Sequence, residues 1–411
     1  MLDARVHGRL ELPPIGKDGR LELCWDAGSI KVSQDLEIYK FDLSGRPLSI
    51  TRKDGIFRRG LDGQVVRILR RHQGEEKFHT CRAVEGLERQ AFLASVVEKL
   101  ESLRTRLGSD FRRLEPAINL NLENDSRTFS DLYGQVGILP PDCYRALLLN
   151  LTQGCSYNKC SFCHFFKEKS YSLRAPAQFK THIEQAKRAF GRSITGRRGI
   201  FLGQANAANV PTPNLESALA SIAEAFPCVL SDRLGERRHP LGFDRVSSFM
   251  DTFSQLQRTA ADWQRLHAMG LKALYLGVES GSSKVLKLLC KPGHPRFIKD
   301  LVDILKVTGM EVNVIVMTGV GGKEMSDEHV GETADLLNAL PLTAGDRIYL
   351  SAFLPDPNSK YASLARTRGL TQMSQLECRQ QTRSIRNKLR FDQFPKGPAV
   401  TLYDIQQFVY S

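Results

Sequence analysis

Apolar positions along this chain follow two rhythms. Up to about residue 83 they come in short, partly alternating runs separated by turns. Leu36-Glu37-Ile38-Tyr39-Lys40-Phe41 is turned by Asp42-Leu43-Ser44-Gly45, and runs at 47–51, 56–59 and 65–69 follow, with Asp54-Gly55 and Asp62-Gly63 between them. Asp-Gly between apolar runs is a hairpin signal, so residues 1–83 predict a small antiparallel meander. Val84, Leu87, Ala91, Phe92, Ala94, Val97, Leu100 and Leu103 then recur at helical spacing. Residues 108–142 read as loop, with Asn119, Asn121, Asn124 and Pro140-Pro141 marking a linker.

From Arg145 the grammar changes. Apolar strands are predicted at Ala146–Leu151, Gly199–Gly203, Arg245–Phe249, Ala273–Val278, Val312–Thr318 and Arg347–Phe353. Between them lie amphipathic stretches at Phe179–Phe190, Asn214–Ala225, Ala260–Met269, Ser283–Leu289, Arg296–Thr308 and Asp327–Leu340. Six strand–helix repeats imply parallel strands joined by right-handed crossovers. Their regular spacing favours an open, partial (β/α)6 barrel over two separate sheets. The fold class is therefore α/β, with a small β-rich and helical N-terminal region before the barrel. In such barrels chemistry gathers at the C-terminal ends of the strands. The expected divisions are a β-rich domain over 1–83, a helix and linker over 84–142, the barrel core over 143–375, and a C-terminal helix and docking tail over 376–411. The amphipathic end, Asp404–Tyr410, is read as packing back on the protein, with a partner-binding helix as the alternative.

Composition narrows the class. With 411 residues, 41% hydrophobic and 25% charged, the balance is globular. No run of about 18 apolar residues occurs, so no membrane span is expected. The opening Met1-Leu2-Asp3-Ala4-Arg5-Val6-His7 lacks the apolar run of an export leader. Nine cysteines, an odd number, then point to a reducing, cytoplasmic setting where thiols are ligands or core residues. The net charge is +13, and from Arg46 to Arg71 eight Arg or Lys face only Asp54 and Asp62. Such a patch could meet nucleic-acid phosphates. Its aromatic content is Phe57, thin for base stacking, and a solvated basic face is favoured.

The chemistry concentrates in one loop. After the strand ending at Leu151 come Cys155, Cys160 and Cys163, three thiols within nine residues. Thiolates are soft ligands for zinc and iron–sulfur clusters. Three readings compete. The cysteines could be small buried hydrophobes. They could bind zinc with the adjacent His164, although neighbouring residues rarely both reach one tetrahedral ion. They could hold three corners of a four-iron cluster, leaving one iron open to a reactant, and this reading is favoured.

Cys155-x4-Cys160-x-Phe162-Cys163 after a first strand resembles the cluster loop of radical S-adenosylmethionine (radical SAM) enzymes, in particular the coproporphyrinogen-dehydrogenase-like (HemN-like) branch. The family usually places three residues between the first two cysteines; this chain has four. The resemblance covers about residues 140–375. It implies a partial (β/α)6 barrel around a [4Fe-4S] cluster, S-adenosylmethionine on the open iron, and an external one-electron donor of flavodoxin or ferredoxin type. It also implies reductive cleavage to a 5′-deoxyadenosyl radical that abstracts hydrogen from an unidentified substrate. Carried over position by position, Phe162 matches an aromatic beside the adenine. Gly203, Gln204 and Asn206 stand where the second strand holds the methionyl amino group. Ser248, beside Ser247, ends the third strand as a weak polar contact. Glu279 and Ser280 match the fourth-strand motif, with Glu279 directed to the ribose or the cationic end. Lys291 stands for a residue that meets the methionyl carboxylate. Gly319, in Met317-Thr318-Gly319-Val320-Gly321-Gly322, lets backbone approach a ligand, and Ala352 reads the adenine. No residue abstracting or donating a proton is assigned.

The other cysteines, Cys24, Cys81, Cys143, Cys228, Cys290 and Cys378, are scattered and form no Cys-x-x-Cys pair. His164 and His329 lie near strand ends and are read as structural. Two rival functions stay open: a non-catalytic haem or iron–sulfur carrier on the same fold, and a nucleic-acid-modifying enzyme that grips phosphates with the Arg46–Arg71 face.

Overall fold

The computed structural model describes residues 7–14, 19–73, 76–226, 243, 245–254, 258–391 and 397–411; Cys228 lies outside them. Eight strands fill the N-terminal region: β1 (Gly8–Leu12), β2 (Leu21–Trp25), β3 (Ile30–Gln34), β4 (Glu37–Phe41), β5 (Pro47–Arg52), β6 (Gly55–Arg59), β7 (Val65–Gln73) and β8 (Glu76–Val84). Each pairs antiparallel with the next, in one meander. At the predicted Asp54-Gly55 hairpin, Arg52 pairs with Gly55. Gly55 sits at φ +140°, and a β-carbon there would stand 2.9 Å from the Ile68 carbonyl oxygen, so glycine lets β7 approach. Burial alternates: Ile30, Val32 and Gln34 of β3 are buried while Lys31 and Ser33 are not. The buried face packs under α1 (Gly86–Leu107), whose Phe92, Val96, Leu100 and Leu103 share one side.

The linker expected over 108–142 is largely helical. A 3₁₀ segment at Gly108–Arg113 leads into α2 (Glu115–Asn119) and α3 (Leu122–Tyr133). Asn121 is an N-cap and not a loop marker; its side chain accepts from the Asn124 backbone N–H at 2.9 Å. The helical rhythm was obscured because α3 buries Asp125 and Ser126 together with Phe129 and Tyr133. Those polar groups meet the basic run. Arg46 donates to Asp125 at 2.8 Å, Asp42 at 3.1 Å and Ser193 at 2.9 Å, and Arg59 donates to Ser126 at 2.7 Å. Both arginines are at most 5% exposed. They belong to the seam between the N-terminal sheet, α3 and the core, so the Arg46–Arg71 stretch is not one solvated face.

The core sheet starts with β9 (Leu147–Asn150), which leads into a short ribbon of β10 (Thr152–Gln153) and β11 (Ser172–Leu173). It continues with β12 (Ile200–Gly203), β13 (Val246–Met250), β14 (Leu271–Glu279), β15 (Glu311–Thr318), β16 (Arg347–Ala352) and β17 (Ala399–Leu402). The order is β17-β16-β15-β14-β13-β12-β9, all parallel and in chain sequence, with β9 and β17 as unjoined edges. Between strands run α4 (Pro176–Phe190), α5 (Thr212–Ala225), α6 (Ala260–Ala268), α7 (Ser283–Leu288), α8 (Pro295–Val307) and α9 (Ser326–Ala339), with α10 (Lys360–Thr367) and α11 (Gln375–Lys388) after β16. All six predicted strands are present. The seventh, β17, comes from a segment read only as helix and tail; its four residues, two exposed and two half-buried, are too short a run to signal a strand.

Every residue of β9 is buried, yet its outer backbone groups face no strand. Tyr410 supplies the partner: its hydroxyl accepts from Leu148 N–H at 2.9 Å and donates to the Ala146 carbonyl at 3.0 Å. The Tyr133 hydroxyl donates to the Leu148 carbonyl at 2.9 Å. The C-terminal tail thus ties one edge of the open sheet to the other and satisfies groups that are costly to leave buried and unpaired. Among the described residues no helix is long and apolar enough to cross a membrane.

Candidate active site

The cysteine loop leaves the C-terminal end of β9 and is fastened at several points. Gly154 sits at φ +70°, and a β-carbon there would stand 2.9 Å from the Lys169 carbonyl oxygen. Within the four-residue interval after Cys155, Asn158 adopts φ +46°, a left-handed turn that asparagine tolerates. Its side-chain amide donates to the Phe166 carbonyl at 2.9 Å, and its backbone N–H points at Cys155 Sγ, 3.4 Å away. Ser161 donates from N–H to Leu289 at 2.8 Å and from Oγ to Leu288 at 3.0 Å. Tyr157 donates to the Cys290 carbonyl at 2.7 Å. The loop is therefore clamped to the C-terminal end of α7, and its thiols sit on a braced support.

The three thiols are half-buried. Burial pushes the Cys160 thiol up to about 12; Lys291 pulls it down, while Glu279, Cys163 and Cys155 push it further up. Burial also raises Cys163, with Cys155 adding to the rise. Three thiolates brought this near would repel one another in a dry setting unless a cationic centre joined them. That donor set, soft and mutually repelling, fits an iron–sulfur cluster. Among the described residues no group of three or more His, Cys, Asp or Glu converges on a single ion. A four-iron cube takes each thiolate on a different iron, so its ligands need not converge. His164, the alternative zinc ligand, packs its ring on Phe165 at 4.4 Å.

The expected cofactor contacts divide. Glu279, at φ +64° on the end of β14, accepts from Lys291 Nζ at 2.7 Å, both buried. Burial opposes the charge on Lys291, but the Glu279 carboxylate and the Cys160 thiol outweigh it and hold its ammonium above the usual lysine range. A β-carbon on Gly277 would stand 2.6 Å from Glu279 Oε1 and 2.9 Å from Lys291 Nζ, so that glycine makes room for the pair. The two residues, expected to reach a ligand separately, face each other beside the cysteine loop. Gln204 is turned inward: its Oε1 accepts from Gly154 N–H at 2.9 Å, and its N–H donates to Thr152 at 3.1 Å. It ties β12 to the loop, where an open amide was expected. Asn206 donates to Asp251 at 3.0 Å and lies 3.9 Å from Cys155 Sγ. Asp251, one residue past β13, was missed; an acid just beyond a predicted strand end was the available signal.

Four further positions are structural. Ser248 is fully buried and donates to the Leu202 carbonyl at 2.8 Å. Gly203 lies buried at the end of β12, where a β-carbon would stand 2.7 Å from Asn150 Oδ1. Ser280 enters a chain of hydrogen bonds: Ser282 N–H donates to its Oγ at 2.9 Å, and its hydroxyl lies 2.8 Å from His329 Nδ1. His329 Nε2 lies 2.9 Å from the Met317 carbonyl, which can only accept. The ring is therefore the neutral Nε2–H form, and burial lowers its pKa to about 4. Gly319, at φ +88°, admits α11 and not a ligand: a β-carbon would meet Cys378 Sγ at 2.6 Å, and its N–H donates to Gln381 at 2.7 Å.

Phe162 and Ala352 remain at an open surface. Both line a cavity of about 1990 Å³ with Cys163 and Met317. Phe162 meets Phe353 edge-on at 6.3 Å, and Phe353 meets Tyr361 at 4.8 Å. The cavity extends from the cysteine loop to the N-terminal sheet at Arg58 and to the tail at Tyr403 and Phe408.

Residues 149–337, from β9 through most of α9, match the family model of the radical SAM superfamily. The chain carries a radical SAM domain. That family implies S-adenosylmethionine and a [4Fe-4S] cluster as cofactors. No curated protein matches the chain. Similar solved structures include the cobalamin-dependent S-adenosylmethionine radical enzyme OxsB, at 15% identity over 59% of this chain and 30% of that one, TM-score 0.35. Methylornithine synthase is 14% identical over 67% of this chain and 74% of that one, TM-score 0.39. Coproporphyrinogen III oxidase from Escherichia coli, a radical SAM enzyme, is 15% identical over 64% and 54%, TM-score 0.37. The chain spans between 30% and 37% of the cobalamin-binding enzymes it matches.

Proposed function

We propose that Cys155, Cys160 and Cys163 hold a [4Fe-4S] cluster, that S-adenosylmethionine binds at its free iron, and that the enzyme abstracts hydrogen from a substrate lodged in the large cavity. The coproporphyrinogen-dehydrogenase-like branch is the reading we favour within the superfamily. When bound, the two cofactors supply reductive cleavage of S-adenosylmethionine to a 5′-deoxyadenosyl radical, with the electron drawn from a cytoplasmic flavodoxin or ferredoxin. The chain's residues do the rest. Lys291 favours the thiolate of Cys160 by its charge. The Lys291–Glu279 pair offers one cation and one anion to the zwitterionic methionyl group, so binding exchanges one buried ion pair for two. Gln204 and Asn206 hold the loop in place. Phe162, with Ala352 and Phe353, gives an adenine an apolar face and keeps water from the reacting centre.

The observation that carries this reading is the braced cysteine loop at the C-terminal end of a parallel strand, with Phe162 and Cys163 opening onto the cavity. The test is anaerobic reconstitution with iron and sulfide, then dithionite and S-adenosylmethionine, followed by an assay for 5′-deoxyadenosine. Product from wild type and none from Cys160→Ala supports it. A verified cluster that yields no 5′-deoxyadenosine overturns it in favour of a carrier.

A further inference from the structure

The cavity is too large for its cofactor alone. Small-ligand pockets hold about 300–1,000 Å³; this one has about 1990 Å³. Part of its lining is apolar, at Phe162, Met317, Leu350 and Phe353, together with Cys163. Another part is not. Helix α11 places Gln375, Arg379, Thr382, Arg383 and Arg386 along the cavity, at offsets of four, seven, eight and eleven residues. These are the positions of one helical face. The adjoining face, with Cys378, Gln381, Thr382 and Ile385, is core. The lining also includes Arg58 of β6, contributed by the N-terminal sheet. With Lys167 and Lys360 the lining holds six cations, against Asp62, Asp356 and Asp404. The excess is three positive charges in a concave site, where low-dielectric walls strengthen the field.

We infer that the substrate carries two or more anionic groups, carboxylate or phosphate, clamped between Arg58 and the Arg379–Arg383–Arg386 stripe, with its reacting carbon reaching inward past Phe353. This assignment of a substrate class rests on the proposed function. It explains why the N-terminal sheet is welded to the core through Arg46 and α3: the sheet supplies one wall of the substrate site. Guanidinium groups suit the task, because they stay charged and grip carboxylate or phosphate with two hydrogen bonds.

The test does not need radical chemistry. Full-length protein with reconstituted cluster is titrated calorimetrically with pyrophosphate and, separately, with citrate, at low and moderate salt; the stronger probe distinguishes phosphate from carboxylate. Binding should weaken with salt and fall about tenfold or more in Arg383→Gln/Arg386→Gln and in Arg58→Gln. Arg188→Gln, on the exposed face of α4, should change nothing. Circular dichroism establishes that the variants are folded. Absence of binding by either anion, or full binding in folded Arg383→Gln/Arg386→Gln or Arg58→Gln, overturns the inference. So does a single-stranded RNA decamer that needs the same arginines while neither small anion competes. Failure to make 5′-deoxyadenosine with anion binding intact would sink the radical reading instead.

Discussion

The two sheets of this protein handle burial in opposite ways. In β3 of the antiparallel sheet, buried and half-exposed residues alternate; in β14 of the parallel sheet, seven of nine positions are buried. A sheet with one wet face keeps its polar groups where they stand. A sheet covered on both faces must send its polar chemistry to the strand ends. Each region also contains a buried ion pair. Arg46–Asp125 is enclosed in the seam, with the guanidinium spread over Asp42, Ser193 and the Ala189 carbonyl and lying 4.8 Å from the Phe129 ring centre. Lys291–Glu279 lies at a strand end, in space left by Gly277, within reach of Cys160. Similar charges build a joint in one region and, on the proposed function, a binding element in the other, and the difference lies in what else can reach them.

The sharpest way to break this comparison is at the thiols. Cys155→Ala, Cys160→Ala or Cys163→Ala should leave less than about a tenth of wild-type iron after reconstitution while the circular dichroism spectrum is unchanged. Retention of iron in all three would place the cluster elsewhere. The ion pairs come next. Glu279→Ala strands the buried Lys291 ammonium, and Asp125→Ala leaves the buried Arg46 with Asp42 alone and takes the nearby carboxylate from Arg59; each should cost about 3–5 kcal/mol in urea unfolding. Only Glu279→Ala should also weaken S-adenosylmethionine binding, measured by equilibrium dialysis. Equal effects on binding would erase the distinction between joint and binding element.

Acid should loosen the parallel half first. His182 accepts from Asn150 N–H at Nε2, 3.0 Å, and His329 from the Ser280 hydroxyl at Nδ1; burial lowers both to about 4 from 6.5. A depressed histidine pKa stabilises the fold fully above about pH 6.5, and that stability is lost as pH falls through about 4. Each contributes on the order of 3 kcal/mol across that window. Hydrogen exchange at pH 4.5 should therefore open β9 and β15 before β3; a uniform response would contradict it. The smallest effect is at the edge of the sheet. Tyr410→Phe removes the hydroxyl that serves Leu148 and Ala146, and should cost about 1–3 kcal/mol by denaturant titration.

Much of the fold was legible because its signals are local. Six strand–helix repeats, hairpin glycines and the three-cysteine loop each lie within a short window of sequence. What escaped was polar and distant. Helix α3 was read as linker because it buries Asp125 and Ser126 for partners 79 and 67 residues earlier, Arg46 and Arg59. Ser248, Ser280 and Gly319 were read as ligand contacts from their place at strand ends, but each is occupied by a backbone carbonyl, a histidine or a helix from elsewhere. Gln204 was read as an open acceptor for the methionyl amino group, but its oxygen already takes the Gly154 N–H.

The order of the strands, the position of the thiols after the first of them, and the ligand chemistry of three neighbouring cysteines follow from the amino-acid sequence alone. Periodicity and donor type are properties of contiguous residues. Which polar groups are consumed by the scaffold, which pair with each other, and that Arg58 and α11 share one cavity were decided by the tertiary structure. Those outcomes depend on which residues meet across long separations in the chain, and burial makes an unmet polar group too costly for the fold to leave the choice open.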